Sequence, residues 1–499
     1  MFSRFSFSKI HLKSLYFILI IYSLFILLMA LVPYEILIIY IYPDDSYYFF
    51  EIAKNLSRNG ILSFDTIHIT NGFQPLWLLL LLPIFFFDIS NLFALRIIIL
   101  YQGLITGFTL ILVYKTLKKM LDKHAAKLGT LILAFLPISF IVYLDGCEAS
   151  LNLFLLSLIV YYIVNKDFTQ LSYNKVIFLA VLSGLSIFTR LDNVIIISAI
   201  LSWLGFIGII KFKKENIKFI ILFLCVFPLI PGAYLLWNYI TFGHIMPISG
   251  ILWNSSTEYA IFYVILVIGL CFLVSLLTKF ICKQYNKQKW NEISPHFKFI
   301  IIIILLPIFH LSYYFIVGGR VVAWYLPVEL LSVSIGGAFA FFYFTNTMNP
   351  NKKGRLANFS ALSSILTFTI IYIFITTSLN IRLYNLSPRY YAATQWVNEN
   401  TSEDAIIASA NAGFLGYFIE RPLIETWGLV NSFEFVEKYK GNRTKFIIEG
   451  EYDYYIDMRQ SIPLSNAEMQ AQNLTLEIEF YDVWAPERTL QVWKKNSSV

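Results

Sequence analysis

The chain has 499 residues, of which 58% are hydrophobic and only 14% are charged, and its mean hydropathy is +0.67. A soluble protein needs roughly a quarter of its residues charged, so this composition excludes a soluble enzyme and predicts a multi-pass membrane protein. The four cysteines are scattered through apolar segments with no close pair, so no disulfide framework or zinc site is implied. The net charge of +7 is compatible with nucleic-acid binding, so the position of the basic residues decides its meaning.

Apolar runs of about 20 residues predict eleven membrane-spanning helices. The first run is too long for the core of a signal peptide and lacks a clear small-residue cleavage site, so we interpret it as a retained anchor. The predicted spans lie near residues 15–41, 92–114, 128–144, 150–165, 176–189, 193–210, 218–240, 259–280, 298–317, 324–345 and 357–380.

The basic residues distinguish the two sides of the membrane. If the N-terminus is cytoplasmic, the predicted cytoplasmic segments hold 22 lysines and arginines, and the opposite loops hold five. The positive-inside rule expects this asymmetry, so the net charge reflects topology and nucleic-acid binding loses its support. The segment after residue 380 is then extracytoplasmic, and we predict a protein of the inner (plasma) membrane.

The first external loop, residues 42–91, contains a predicted surface helix with an acidic pair at its start. Asp44 and Asp45 are followed by an apolar stripe at helical spacing, and Gly60 can end the helix. The helix dipole favours negative charge here, whereas repulsion between the carboxylates resists ionising both. One interpretation is a general base; the alternative is a solvated pair in which Asp44 caps the helix.

The rest of this loop and the other external loops add polar residues. Pro75 begins an apolar helix that is too short to span the membrane, which predicts a re-entrant or juxtamembrane helix, and His68 is interpreted as an ordinary surface histidine. The spans carry almost no charge, which argues against an ion pathway through the bilayer. The candidate functional residues of the later loops are Asp145, Glu148, Arg190, Asp192, His244 and Arg320.

The sequence divides into a membrane domain, residues 1–380, and a C-terminal domain, residues 381–499, whose polarity is normal for a soluble fold. Ser387-Pro388 begins a predicted helix that runs to Asn400. Alternating patterns predict strands, so we expect a small α/β domain. The predicted strands are Ala405–Ala410, Lys445–Ile448, Leu474–Phe480 and Leu490–Trp493.

The segment PDDSYYFFEIAKNL, which begins at Pro43, resembles the multi-pass glycosyltransferases of the GT-C superfamily that take sugars from polyprenyl phosphates. The protein mannosyltransferases and lipid A aminoarabinose transferases of that superfamily carry an acidic pair after the first span. The likeness covers nearly the full length through TNGFQPLW, the turn before Ala149, FTRLDN, FGHIMPISG, WYLP and GFLGYFIERPLIETWGL. Two positions depart from it: Gln74 stands where the family usually has His, and Glu425 where it usually has Asp.

This resemblance implies a polytopic GT-C-like fold with an extracytoplasmic α/β domain. It also implies transfer of a sugar from a polyprenyl-phosphate donor to a glycan, lipid or protein acceptor of the cell envelope. Asp44 matches the catalytic Asp of the family and Asp45 the acidic residue beside it, so Asp44 is the expected general base of an inverting reaction. Arg190 and Arg320 are the candidates for the donor phosphate, with salt bridges as the alternative. The candidate substrate-binding residues are Tyr48, Asn71, Gln74, Glu148, Asp192 and His244.

The sequence leaves alternative interpretations open for both the cofactor and the function. The carboxylate pair can bind a divalent metal or act without one, so no cofactor is assigned. A lipid-linked glycan transporter or flippase is the first alternative function, and it predicts polar residues lining the spans. A non-catalytic envelope-assembly protein is the second, and it predicts that Asp44 can be replaced without loss of function.

Overall fold

The computed structural model describes residues 7–166, 168, 170–206, 217–252, 295–317, 321–347, 388–439, 441–481 and 488–496. Most of these residues are helical, and a small sheet lies near the C-terminal end. Several helices are long and apolar enough to cross a bilayer, so the chain is a multi-pass membrane protein. The spans predicted near 259–280 and 357–380 lie outside the described residues, and the total of eleven stays a prediction.

The helices of the membrane region follow one another with short connections. A π-helical turn at Leu37–Ile41 continues the second helix, and a 3₁₀ turn at Ala323–Tyr325 precedes the last. The helices are α1 (Phe7–Leu31), α2 (Tyr34–Ile36), α3 (Asp44–Asn59), α4 (Pro75–Phe85), α5 (Asn91–Met120), α6 (Lys123–Phe135), α7 (Pro137–Leu144), α8 (Ala149–Asn165), α9 (Tyr173–Thr189), α10 (Asn193–Phe206), α11 (Ile217–Val226), α12 (Leu229–Phe242), α13 (Ile248–Leu252), α14 (Pro295–Val317) and α15 (Pro327–Thr347).

Among the described residues, four helical segments have the length and hydropathy of a membrane span. They are α5, α11 joined to α12, Phe297–Tyr314 within α14, and Pro327–Asn346, most of α15. The pair α6 and α7 is a further candidate, bent by 63° at the break before Pro137. The first helix ends at Leu31 rather than near residue 41, because Pro33 interrupts the backbone hydrogen bonds of a continuing helix.

The helix α3 confirms the surface helix predicted for the first loop. It ends at Asn59, and Gly60 follows with a φ of 70°, a left-handed conformation that suits glycine. One face is buried, including Tyr47, Phe50 and Ala53, and it packs against α4 and the C-terminal domain. The start of α3 therefore lies between the membrane helices and the C-terminal domain.

The helix α4 has 11 residues, too few to cross a bilayer, as the sequence predicts. Its Trp77 is fully buried and donates a hydrogen bond from Nε1 to the carbonyl of Gly146 at 2.8 Å. This bond ties the first loop to the turn between α7 and α8. Around it, α5 packs against α1, α6 and α8, and α15 packs against α6 and α14.

The C-terminal domain contains a five-stranded mixed sheet with the strand order β2-β1-β3-β5-β4. The strand β1 is parallel to β2 and β3, whereas β5 is antiparallel to β3 and β4. The two faces of the sheet pack against different hydrophobic cores. Ile407 and Ile456 lie in the core that includes the membrane helices, and their neighbours Ala408 and Tyr455 lie in a separate core. The elements are α16 (Pro388–Asn400), β1 (Ile407–Ser409), α17 (Ala412–Phe418), β2 (Leu423–Glu425), α18 (Phe433–Tyr439), α19 (Arg443–Glu449), β3 (Tyr454–Met458), α20 (Asn466–Ala471), β4 (Leu474–Phe480) and β5 (Leu490–Lys495).

The predicted elements of this domain are confirmed with one exception. The strands β1, β4 and β5 and the helix α16 lie where the sequence predicts them. The strand predicted at Lys445–Ile448 is wrong, because α19 covers these residues. Asn442 caps this helix by accepting a hydrogen bond from the N–H of Lys445 at 3.0 Å. Phe446 and Ile447 then bury against the sheet, so four alternating residues are too few to separate strand from helix.

Candidate active site

The acidic pair lies where α3 meets the C-terminal domain. Pro43 occupies the N-cap position of α3, so Asp44 does not cap its own helix as predicted. Its carboxylate instead accepts hydrogen bonds from the N–H groups of Gly413, at 3.1 Å, and Phe414, at 2.8 Å. These N–H groups belong to the first turn of α17, where Asn411 makes no side-chain cap. Asp44 therefore caps a helix of the C-terminal domain.

Both carboxylates keep partial solvent contact, although protein surrounds them. Burial raises the pKa of Asp44, while the backbone N–H groups of Phe414 and Gly413 and the Tyr48 side chain act in the opposite direction. Burial, followed by the charges of Asp44 and Glu148, raises the pKa of Asp45 to about 7. Asp45 can thus exchange a proton near neutral pH.

The turn that contains Gly146 packs directly on the start of α3. The Oγ of Ser46 donates a hydrogen bond to the carbonyl of Asp145. Gly146 has a φ of 78°, and a Cβ at this position would lie 2.6 Å from Cζ of Phe50, so only glycine fits. The turn thereby holds Glu148 close enough to Asp45 for its charge to act on that carboxyl.

Arg190 is the centre of a buried ion-pair network. Its Nη1 donates a hydrogen bond to Glu148, and its Nε and Nη2 donate to the two oxygens of Asp192 at 3.1 and 3.0 Å. The Tyr314 hydroxyl accepts from Nη2 at 2.8 Å, and the ring centroid of Tyr325 lies 3.9 Å from the guanidinium. Although burial acts in the opposite direction, the charge of Arg190 holds the pKa of Asp192 well below its usual value. The salt bridges that were the alternative role for Arg190 are therefore present in the structure.

The network continues into two membrane helices. Nε2 of His310, in α14, lies 3.6 Å from Asp192, and its Nδ1 lies 2.8 Å from Oε1 of Glu329, in the first turn of α15. Sequence reasoning missed both residues, because each is a single ionisable group in an apolar run. The sequence does contain a signal for them. An ionisable group within a membrane span costs free energy, so such a group is expected to have a specific partner or function.

Tyr48, Glu148 and Asp192 are the predicted substrate-binding residues that the structure places at this site. Tyr48 is buried beside Asp44, and its ring centroid lies 5.1 Å from that of Phe64. Glu148 and Asp192 are the two carboxylate partners of Arg190. The segments that carry these residues, which the sequence predicts to lie on one side of the membrane, therefore converge.

Other predicted residues have contacts that organise the surrounding loops. Asn71 donates a hydrogen bond to Asn238 Oδ1 at 3.2 Å and accepts one from the N–H of Ile248 at 2.9 Å. The ring of His244 stacks on Phe433 with a centroid distance of 4.2 Å. Both contacts fix the connection between α12 and α13, and the second one joins it to the C-terminal domain.

Gln74, Arg320 and His68 are the remaining polar residues considered in the sequence. Gln74 is the N-cap residue of α4, is partly buried, and makes no side-chain capping bond to that helix. Arg320 lies outside the described residues. His68 pairs through Nδ1 with Asp65 at 2.7 Å, which fixes a loop rather than a ligand.

Glu425 organises the loop after β2. Its carboxyl oxygens accept hydrogen bonds from the N–H groups of Trp427, at 2.5 Å, and Leu429, at 2.7 Å. Burial nevertheless raises the pKa of Glu425 to about 8. The loop contacts the membrane region closely, since a Cβ on Gly72 would lie 1.9 Å from the carbonyl oxygen of Leu429. Glu425 therefore shapes the surface on which the first loop and the C-terminal domain meet.

The fold is similar to those of several solved structures. It aligns with ArnT from Cupriavidus metallidurans bound to undecaprenyl phosphate, with a TM-score of 0.52, 12% identity, and 96% of this chain and 98% of that chain covered. It also aligns with the apo oligosaccharyltransferase of Archaeoglobus fulgidus, with a TM-score of 0.58, 14% identity, and 90% and 70% covered. The oligosaccharyltransferase AglB of the same organism, in complex with an inhibitory peptide and a dolichol-phosphate, gives a TM-score of 0.54, 12% identity, and 99% and 75% covered. The chain therefore has the GT-C fold, which confirms the fold that the acidic-pair resemblance implies.

Sequence comparison adds one family. A family described as a domain of unknown function (DUF8728) matches residues 380–493, the segment that contains the sheet. A search of curated proteins finds no match to this sequence. The likeness to solved structures therefore establishes the fold, while the function has to be argued from the site.

The carboxylates of the site do not form a metal-binding group within the part of the chain that the structure describes. One structure of the A. fulgidus oligosaccharyltransferase is a complex with Zn and sulfate. Among the described residues, however, no group of three or more His, Cys, Asp or Glu side chains is arranged to hold a metal ion. Two nearby carboxylates of the site, Glu148 and Asp192, are already engaged with Arg190.

Proposed function

We propose that this protein is a glycosyltransferase that moves a sugar from a polyprenyl-phosphate donor to an acceptor of the cell envelope. The observation that carries the proposal is the partly exposed acidic pair, Asp44 and Asp45, in a GT-C fold and beside the buried Arg190 network. One carboxyl of the pair, Asp45, has a pKa raised to about 7 by burial and by the charges of Asp44 and Glu148, which is a suitable environment for proton transfer. ArnT and AglB have been solved with polyprenyl phosphates bound, which supports this donor class.

The proposed reaction is a single displacement at the anomeric carbon. The acceptor hydroxyl attacks from the face opposite the phosphate, a carboxylate of the acidic pair takes its proton, and the bond between the anomeric carbon and the phosphate oxygen breaks. The electron pair of that bond leaves with the polyprenyl phosphate, which is a stable anion and needs charge neutralisation more than protonation. The anomeric configuration is inverted.

We assign donor binding to the Arg190 side of the site. A groove of about 520 Å³ begins at the first turn of α10, next to Asp192, and could receive part of the lipid chain. Arg190 and Arg320 are the proposed phosphate ligands, and a phosphate contact of Arg190 would replace one of its present carboxylate partners. The residues that line the groove are Val194, Ile195, Ser198, Ala199, Ser202, Ile302 and Phe309.

The membrane orientation that accompanies this function has a cytoplasmic N-terminus and an extracytoplasmic C-terminal domain. The distribution of basic residues supports it. Nucleotide sugars are absent outside the plasma (inner) membrane, so a transferase whose site faces outward needs a sugar carried across on a lipid. A polyprenyl phosphate meets this requirement, and a glycan, lipid or protein of the envelope is the acceptor class.

The proposal is tested with the purified protein in lipid vesicles that contain polyprenyl-phosphate sugars labelled in the sugar, together with envelope acceptors. We expect label to move to the acceptor with release of one polyprenyl phosphate per sugar, and we expect an Asp44→Asn, Asp45→Asn double variant to lose transfer. The exposed Asp88→Asn variant is the matched control, because the Asp88 side chain is 98% exposed and contacts only Arg58 among the described partners. Equal transfer by the double variant would remove the acidic pair from the mechanism.

A lipid-linked glycan transporter is the second candidate, and one observation favours it. His310 and Glu329 are ionisable residues within membrane helices, as a polar pathway would require. Their position argues for the transferase, since Glu329 lies in the first turn of α15 and His310 contacts the external Asp192. Movement of an intact labelled lipid between leaflets without release of polyprenyl phosphate would support transport instead.

A further inference from the structure

The guanidinium group of Arg190 has one firmly held edge. Its Nε and Nη2 donate hydrogen bonds to the two oxygens of Asp192 at 3.1 and 3.0 Å, and Nη2 also donates to the Tyr314 hydroxyl at 2.8 Å. That hydroxyl in turn donates to Asp192. The ring of Tyr325 lies over the guanidinium and stacks on Tyr314 with a centroid distance of 5.3 Å. These contacts fix both the plane of the guanidinium and the direction of its Nε–Nη2 edge.

The Nη1 end of the same group is held less firmly. Nη1 carries two hydrogens, and within the described part of the chain Glu148 is the one side chain that accepts from it. The pKa values agree with this difference. Burial raises the pKa of Glu148 in spite of Arg190, whereas the charge of Arg190 overcomes burial at Asp192 and holds its pKa well below the usual value. An anion that reaches Arg190 therefore competes most easily at Nη1.

The membrane helices α14 and α15 supply a second cation to Asp192. His310 is 2% exposed, and both of its ring nitrogens face carboxylates: Nδ1 lies 2.8 Å from Oε1 of Glu329, and Nε2 lies 3.6 Å from Oδ2 of Asp192. An ionised carboxylate only accepts hydrogen bonds, so a neutral imidazole would direct a lone pair at one of the two, whereas an imidazolium suits both. Glu329, His310 and Asp192 thus form a buried row that ends at the held edge of Arg190.

We propose that His310 is a positioning residue: it holds Asp192 in place and so turns the Nη1 end of Arg190 towards the donor phosphate. Glu329 orients His310, and Glu148 is the carboxylate that the phosphate displaces. The inference rests on the donor binding proposed above. Because two cations serve Asp192, its charge stays compensated while Arg190 binds the phosphate. Glu148, whose pKa burial already raises, can take up a proton from water when the phosphate takes its place at Nη1.

The test measures the affinity of the protein for sugar-free undecaprenyl phosphate in nanodiscs of phosphatidylcholine, whose lipids carry no net charge. Glu148→Gln should bind it about tenfold more tightly, because a competing negative charge close to the phosphate is removed. Asp192→Asn should bind it about tenfold or more weakly, because the held edge loses a charged hydrogen-bond partner. Simple repulsion of the phosphate by carboxylates predicts tighter binding in both variants, so the sign of the Asp192→Asn result is decisive.

His310→Gln and Glu329→Gln should weaken binding in the same direction as Asp192→Asn. Ser332→Ala is their matched control, because the Ser332 hydroxyl donates to the carbonyl of Ile303 at 2.7 Å and so joins the same two helices outside the row. The control should bind undecaprenyl phosphate like the wild type. In sugar transfer, His310→Gln should raise the KM for the donor by about the factor seen in binding and leave the KM for the acceptor unchanged, whereas a general structural defect would alter both.

Tighter binding by Asp192→Asn, or wild-type affinity in His310→Gln, would overturn the inference, as would equal losses in Ser332→Ala and Glu329→Gln. The affinity measurement needs no sugar transfer, so it separates the two proposals. If the wild-type protein binds undecaprenyl phosphate and the variants follow these signs but no sugar is transferred, the proposed function fails and the positioning role stands. If sugar is transferred and all variants bind alike, only the positioning role fails. If the wild type does not bind undecaprenyl phosphate, both fail.

Discussion

Two buried carboxyl groups, one beside Arg190 and one in the loop after β2, are stabilised in different ways. Asp192 pairs with the guanidinium of Arg190 and lies near His310. Within the described ranges, the hydrogen bonds that Glu425 accepts come from backbone N–H groups such as that of Trp427. The pKa of Asp192 is well below its usual value, and the pKa of Glu425 is raised to about 8. A full opposite charge thus outweighs the cost of burial, and the partial charges of several N–H groups do not. The site therefore has an ionised side and a largely neutral side.

The largest expected effect comes from removing the cation of the ionised side. Arg190→Ala leaves Glu148 and Asp192 buried without their partner, so we expect the free energy of unfolding to fall by about 3–5 kcal/mol. Denaturant unfolding in detergent measures the change. Arg58→Ala is the control: its contact with Asp88 at 3.3 Å is exposed, so the loss should be about 0–1 kcal/mol. Equal losses in the two variants would contradict the comparison.

A smaller effect is expected at Asp192, and its pH dependence has a definite sign. The folded-state pKa of Asp192 is lowered, so its stabilising contribution is present above the unfolded-state value near 4 and is lost as the pH falls further. We expect Asp192→Asn to lower the free energy of unfolding at pH 7 by about 1.5–3 kcal/mol, the range for a hydrogen bond to a charged group. Unfolding at pH 7 and at pH 3 compares the two states. A loss that is the same at both values would show that the charge of Asp192 is not the cause.

The smallest effect is expected on the neutral side, with the opposite sign. The pKa of Glu425 is raised to about 8, so the wild-type protein loses stability as the pH rises from the unfolded-state value near 4 to about 8. Glu425→Gln should change the free energy of unfolding by less than about 1 kcal/mol at about pH 4, where the carboxyl is neutral in the folded state. Between about pH 4 and pH 9 the wild-type protein should lose stability and the variant should not, so the variant should be the more stable of the two at pH 9. The same pH dependence in both proteins would mean that Glu425 keeps its ordinary pKa and that the contrast with Asp192 fails.

Sequence reasoning predicts the membrane class, α3, most strands and the convergence of Glu148, Arg190 and Asp192 from separate turns. Each of these depends on a local pattern, such as the apolar stripe that ends at Gly60. The resemblance adds the GT-C fold, which no local pattern contains. The strand predicted at Lys445–Ile448 fails because its four residues fit both periods, and only packing on the sheet selects a helix.

The partners of the site residues are less predictable, because they are set by tertiary contacts. Asp44 and Gly413 are 369 residues apart, and no periodicity indicates that one caps the helix of the other. Arg190 is identified as a functional candidate, but its contact with Tyr314 of α14 depends on how the helices pack. His310 and Glu329 are visible in the sequence only as isolated charges within spans.

The most direct test of the account is a structure of the protein with a polyprenyl-phosphate sugar bound in a lipid environment. We predict that the phosphate lies within hydrogen-bond distance of Arg190 or Arg320, and that a carboxylate of the acidic pair, Asp44 or Asp45, faces the anomeric carbon from the opposite side. Asp44 should still accept its hydrogen bonds from Gly413 and Phe414. A phosphate bound away from both arginines, or a sugar that does not reach the start of α3, would contradict the account.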